Sequence, residues 1–123
     1  VKQLSKNNVR LVVCTACRAP DDADARPGAR FLDALRVRLA ERALDLAVEG
    51  VECLAVCKRP ATIALAAPGK WTYVIGDLDA ATQIDDVIDS ALRFGESENG
   101  IVAWKERPVC FRKGVISRTP PLA

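Results

Sequence analysis

Two close-spaced cysteine pairs constrain this chain more than any other feature. Cys14 and Cys17 are separated by two residues, Cys53 and Cys57 by three, and Cys53 follows Cys17 by 36 positions (53 − 17). Thiolate sulfurs bind iron and zinc well, and four of them complete a tetrahedral zinc shell or hold a [2Fe–2S] cluster. The chain has no His, so a mixed Cys/His site is excluded. The alternative, that the four are unrelated small core residues, leaves their pairing unexplained. A fold that uses them must bring both pairs to one place.

Length and charge narrow the rest. The 123 residues fit a single domain, 1–123, with residues 1–8 as candidates for disorder, and half of them are apolar, enough for a packed core. A net charge of +2 argues against nucleic acid as a partner. The charge is unevenly spread: Asp77 to Glu98 carries seven acidic residues against Arg93, whereas beyond Gly100 five Lys and Arg oppose Glu106. Two solvated faces of opposite sign explain this, and docking to a charged protein partner is the sharper alternative. No segment has the length of a membrane span, and the N-terminus lacks a charged-then-apolar signal pattern. The expectation is a cytoplasmic protein without membrane partners. Thiols stay reduced there, so metal or redox chemistry explains five cysteines better than disulfides do.

The order of elements follows from pattern. Val9 to Cys14 is a β-branched run and reads as a buried first strand. Pro20, the Asp cluster and Pro27-Gly28 mark a loop. A helix is predicted from about Ala29 to Ala43, with Leu32, Leu35, Leu39 and Ala43 on one face and Phe31 beside them. Leu46–Val51 reads as a second strand, followed by the loop of the second thiol pair. Thr62–Ala66 and Trp71–Ile75 form a predicted hairpin around Pro68-Gly69-Lys70. Asp77 or Asp79 is placed to cap a helix whose stripe is Ile84, Val87, Ile88, Ala91 and Leu92, with Gly95 as its stop. From Ile101 onward, Trp104, Pro108 and Pro120-Pro121 suggest an irregular tail.

Strand–helix–strand calls for a parallel pair with a right-handed crossover, and the hairpin adds antiparallel strands. The expected fold is α/β and thioredoxin-like: a four-stranded mixed sheet, two main helices and an irregular C-terminal tail. In such a sheet the loops carrying the two thiol pairs emerge at the same end.

Val51-Glu52-Cys53-Leu54-Ala55-Val56-Cys57-Lys58-Arg59-Pro60 resembles the second cysteine motif of the thioredoxin-like [2Fe–2S] ferredoxins, in which a Cys-x3-Cys loop precedes a strand and a hairpin with an aromatic, here Trp71-Thr72-Tyr73. Val13–Arg18, Pro27–Arg30, Gly69–Tyr73 and Lys105–Pro108 are similar to an uncharacterised bacterial family described only as predicted metal-binding proteins. The resemblance implies this fold, metal binding, a redox partner protein and a homodimer like that of related ferredoxins. It departs from the ferredoxins at Cys14-x2-Cys17, whose spacing is shorter than theirs and is also a common zinc half-site. Arg18, Lys58 and Arg59 flank the thiols and favour a negatively charged centre of either kind. Pro60 stands where thioredoxin-like folds carry a cis-proline.

The leading reading is thus a [2Fe–2S] electron carrier or redox sensor with Cys14, Cys17, Cys53 and Cys57 as ligands, more a metal-binding protein than an enzyme. A zinc-stabilised, partner-binding domain is the first alternative. A thiol–disulfide oxidoreductase using Cys14 and Cys17 is the second, and it leaves Cys53 and Cys57 without a role. Cys110, alone in the tail, reads as a thiol outside the ligand set.

Overall fold

The β-branched run near the start of the chain forms strand β1 (Arg10–Cys14) of the computed structural model, which describes residues 9–16, 26–52, 54, 61–103, 105 and 107–121. Helix α1 (Pro27–Glu41), strand β2 (Ala47–Val51), strands β3 (Ile63–Ala66) and β4 (Thr72–Ile75) and helix α2 (Ile84–Glu96) follow. A short helix α3 (Cys110–Lys113) and strand β5 (Val115–Thr119) close the chain. The sheet order is β2-β1-β3-β4-β5; β1 runs parallel to β2 and every other neighbouring pair is antiparallel.

Side chains alternate between the two faces of a strand, and the register turns that alternation into rows. Leu11 lies opposite Leu65, which pairs with Tyr73; Val13 lies opposite Ile63, which pairs with Ile75. All six are at most 1% exposed. They share one core with Phe31, Leu35 and Leu39 of α1 and with Val87, Ile88, Ala91 and Phe94 of α2. Each such aliphatic or aromatic side chain contributes about 1.5–3 kcal/mol on burial. Between the helices, Arg38 pairs with Asp85, and Arg42 with Asp85 and Asp89, but these groups are roughly a quarter to a half exposed. Pairs of that kind are worth at most about 1 kcal/mol. Burial, not charge, therefore holds the two helices to the sheet.

The ends of α1 differ from the sequence expectation. Pro27 and Gly28, expected in the loop, open the helix, with Pro at a first-turn position where its missing N–H costs nothing. At the other end the helix stops at Glu41, and Ala43, expected on its apolar face, is exposed and left-handed at φ 54°. Ala43 N–H donates to the Ala40 carbonyl and Leu44 N–H to the Leu39 carbonyl, the paired bonds of a Schellman cap. That position usually holds glycine, because a Cβ is strained there.

Neither Asp77 nor Asp79 caps α2, which opens at Ile84 after Gln83 with no side-chain cap; Asp79 instead anchors the turn before it. Its carboxylate accepts from the Ala81 amide at 2.9 Å, while its own amide donates to the Gln83 side chain at 2.8 Å. Asp77 is instead left-handed, at φ 59°. Gly95 does not end α2, which continues to Glu96. The stop is Ser97, extended at ψ 135°, whose hydroxyl donates to the Ile101 carbonyl and accepts from the Gly100 amide.

The tail is the main correction: the sheet has five strands rather than four, and the C-terminal segment is ordered around Tyr73. The Tyr73 hydroxyl accepts from the Val102 amide at 3.3 Å and from the Arg107 guanidinium at 3.2 Å. Arg107 also lies over the Tyr73 ring and donates to the Val102 carbonyl. Phe111 of α3 is fully buried beside the same ring, and β5 then pairs along β4. No helix among the described residues is long and apolar enough to cross a membrane.

Replacing Ala43 with Gly relieves the left-handed strain and is expected to raise stability by about 0.5–1 kcal/mol, the larger freedom of unfolded glycine offsetting part of the gain. Urea denaturation measures this, and a loss of stability in the variant would contradict the cap.

Candidate metal centre

The C-terminal ends of β1 and β2 lie side by side because the two strands are parallel, with Cys14 registered against Val51. Pairing then continues past the strands. Thr15 donates to the Val51 carbonyl from its amide at 2.8 Å and from its hydroxyl at 3.0 Å, and the Ala16 amide donates to the Glu52 carbonyl at 3.2 Å. Ala16 immediately precedes Cys17, and Glu52 immediately precedes Cys53. On the other side of β1, the Cys14 amide donates to the carbonyl of Thr62 at 3.0 Å. The segment that leaves β2 after Glu52 therefore rejoins the sheet next to Cys14. Three pieces of chain meet at this end.

Cys14 is the one proposed ligand within the described residues. It is 1% exposed, and its thiol lies 3.5 Å from the Glu52 carbonyl oxygen, in reach of a weak S–H bond. Cys17, Arg18, Cys53, Cys57, Lys58, Arg59 and Pro60 lie outside the described residues. Among the described residues no group of three His, Cys, Asp or Glu is gathered as a metal shell.

Two glycines mark how closely helix and sheet approach here. A Cβ on Gly28 would stand 1.7 Å from the Cys14 carbonyl oxygen, so the first turn of α1 rests directly on the end of β1. A Cβ on Gly50 would meet the Thr15 methyl at 2.8 Å and Leu32 at 2.9 Å. The first turn of α1 holds no acidic residue, and its partly positive end adjoins the Cys14 backbone. That polarity suits an anionic centre. Sequence reading passed over Thr15, Gly28 and Gly50. The signal for Gly28 was present as Pro27-Gly28, since Pro at a helix start and Gly at a close contact use the same letters as a turn.

Cys110 has a different character. It opens α3 and is 6% exposed on a cleft of 160 Å³ shared with Gly76, Asp77, Gln83 and Lys113, just past the end of β4. Burial first, and then the Asp86 charge, push its thiol up to about 11. It is protonated at neutral pH, which disfavours it as nucleophile and as ligand.

Residues 11–121 match the family described as "Protein of unknown function (DUF1636)". The chain belongs to that family. No curated protein matches it. Among solved structures it is similar to a thioredoxin-like [2Fe–2S] ferredoxin from Aquifex aeolicus, with a TM-score of 0.59 and 15% identity over 94% of this chain and 96% of that one. A crystal structure of the wild-type thioredoxin-like [2Fe–2S] ferredoxin from Aquifex aeolicus gives a TM-score of 0.56 and 14% identity, covering 89% and 96%. The fold is therefore α/β and thioredoxin-like, as the element order implied.

Two outcomes check this geometry. Gly28→Ala is expected to lower stability by about 3 kcal/mol, since neither backbone can move away freely; a loss under about 0.5 kcal/mol in denaturant titration would mean the contact is not tight. In a brief iodoacetamide pulse at about pH 9.5, Cys110 should stay mostly unmodified by peptide mass spectrometry. An ordinary thiol, with a pKa of about 8.5, reacts fully there, and full reaction of Cys110 would contradict its burial.

Proposed function

We propose that this protein holds a [2Fe–2S] cluster on Cys14, Cys17, Cys53 and Cys57 and serves as an electron carrier or redox sensor that docks with a redox partner protein. The observation that carries the reading is the hydrogen bonding of Thr15 and Ala16 to Val51 and Glu52, which joins the chain one residue before Cys17 and one residue before Cys53. Chance would not put two thiol pairs on two segments tied together at one sheet end. The donor set fits as well, since four thiolates without a histidine match the ligands of such a cluster. Its similarity in fold to a protein named as a [2Fe–2S] ferredoxin adds support.

Within this reading each residue has a chemical task. The four thiols bind as thiolates, and Cys14 is buried at the end of β1, 1% exposed. Arg18, Lys58 and Arg59 offset the negative charge of the thiolate centre, and the positive end of α1 acts in the same sense. Pro60, which stands where thioredoxin-like folds carry a cis-proline, would hold the second loop against the first. The bound cluster would supply one-electron transfer.

The same four thiols also suit zinc, which would make the centre structural and move function to a partner-binding surface. A dithiol oxidoreductase using Cys14 and Cys17 is disfavoured, because it leaves Cys53 and Cys57 without a role and Pro20, the Asp cluster and Pro27 follow the pair in sequence.

Anaerobic purification followed by visible spectroscopy and iron, sulfide and zinc analysis separates these readings. Bands that bleach with dithionite, with equal iron and sulfide, are expected; one zinc per colourless chain would replace the cluster, and a metal-free protein would bring the dithiol reading forward. Cys53→Ser and Cys57→Ser should each abolish stoichiometric metal, whereas Cys110→Ser should retain it. Loss of metal in the Cys110 variant alone would overturn the ligand assignment.

A further inference from the structure

The β1–β2 ladder ends at Cys14 and Val51, yet Cys17 and Cys53 both lie beyond it. Among the described residues, the two segments are joined past that point by the Thr15 and Ala16 amides, the Thr15 hydroxyl and the Cys14 thiol, which lies 3.5 Å from the Glu52 carbonyl oxygen. The Thr15 amide and hydroxyl both donate to the Val51 carbonyl, and the Ala16 amide donates to the Glu52 carbonyl. The Thr15 side chain is held by shape as well as by its bond. Its methyl occupies the space that a Cβ on Gly50 would need, 2.8 Å away, in contact range of the same spot as Leu32. A threonine over a glycine therefore has one favoured rotamer here, with the methyl seated on β2 and the hydroxyl turned to Val51.

We propose that Thr15 is the positioning residue of the thiol centre: its hydroxyl fixes the spacing between the chain just before Cys17 and the chain just before Cys53. The inference rests on the metal-binding reading above and names a residue outside the ligand set. Thr15 acts through the Val51 carbonyl. The Val51 carbonyl keeps the Thr15 amide as donor when the hydroxyl is removed. The loss is one of geometry at the chain ends rather than an orphaned buried acceptor, so the sheet itself should survive.

The test compares wild type, Thr15→Val and Thr15→Ser, purified with the metal they hold. Valine keeps the shape and removes the hydroxyl, and serine keeps the hydroxyl and removes the methyl. Metal release into excess EDTA is followed by absorbance or by metal analysis, beside the visible spectrum and the thermal midpoint of the metal-free protein. Thr15→Val should release metal about tenfold faster than wild type, the lower end of the effect seen when a group supporting metal ligands is lost. Thr15→Ser should stay within about twofold, and the metal-free midpoints should stay close together. Equal release by wild type and Thr15→Val would overturn the proposal. Equally fast release by both variants would also overturn it, by assigning the effect to packing. Wild type that never holds metal would overturn the functional reading itself, an outcome distinct from the other two.

Discussion

The proposed metal centre depends first on the parallel pairing of β1 with β2. A parallel pair needs a crossover, and α1 supplies it. The consequence is that both strands end on the same side, so that segments 36 residues apart in sequence leave the sheet as neighbours. An antiparallel pair would have sent Cys17 and Cys53 to opposite ends. The ladder is then prolonged by Thr15 and Ala16, and on the far side of β1 the Thr62 carbonyl takes the Cys14 amide. These hydrogen bonds set the ends of β1 and β2 and the start of β3 side by side.

The cost of bringing α1 onto that end is visible in its sequence. Gly28 is the residue that lets the helix touch the Cys14 carbonyl, and Gly50 is the residue that lets Thr15 and Leu32 close over β2. Neither glycine has a positive φ, so neither is there for a turn. Both are there because something else occupies the place of a side chain. The helix thereby points its partly positive end at the strand ends, which favours negative charge at this position in the fold. At Cys110, burial and the Asp86 charge outweigh the backbone amides of Cys110 and Phe111 and push the thiol toward its neutral form.

Much of the fold was legible because its signals are periodic. Leu11 and Val13 alternate with the exposed Arg10 and half-buried Val12, and Val87, Ile88 and Ala91 keep helical spacing, so both elements were legible, although the start of α2 was placed too early, at Asp77 or Asp79 rather than Gln83. The hairpin turn at Ala67–Lys70 was equally clear, with Gly69 at φ 75° where such a turn needs it. β5 was missed for a physical reason. It is an edge strand whose last three residues, Ser117, Arg118 and Thr119, are exposed, so no alternation marks it, and Pro120-Pro121 reads as a breaker. What orders that segment is Arg107 on Tyr73 and Phe111 in the core, contacts between residues far apart that no local pattern records. At the site, the thiol pairs were legible from spacing alone, but Thr15 was not. A hydroxyl bond to a carbonyl 36 positions away leaves no trace in sequence.

The central claim is that both thiol pairs serve one centre, and X-ray absorption at the metal edge of the purified protein tests it most directly. The account predicts a shell made wholly of sulfur, four scatterers per metal at about 2.3 Å, with an iron neighbour when the centre is a [2Fe–2S] cluster. A shell of two sulfurs completed by nitrogen or oxygen would mean that one pair binds without the other, and the convergence of the two segments would then have another purpose.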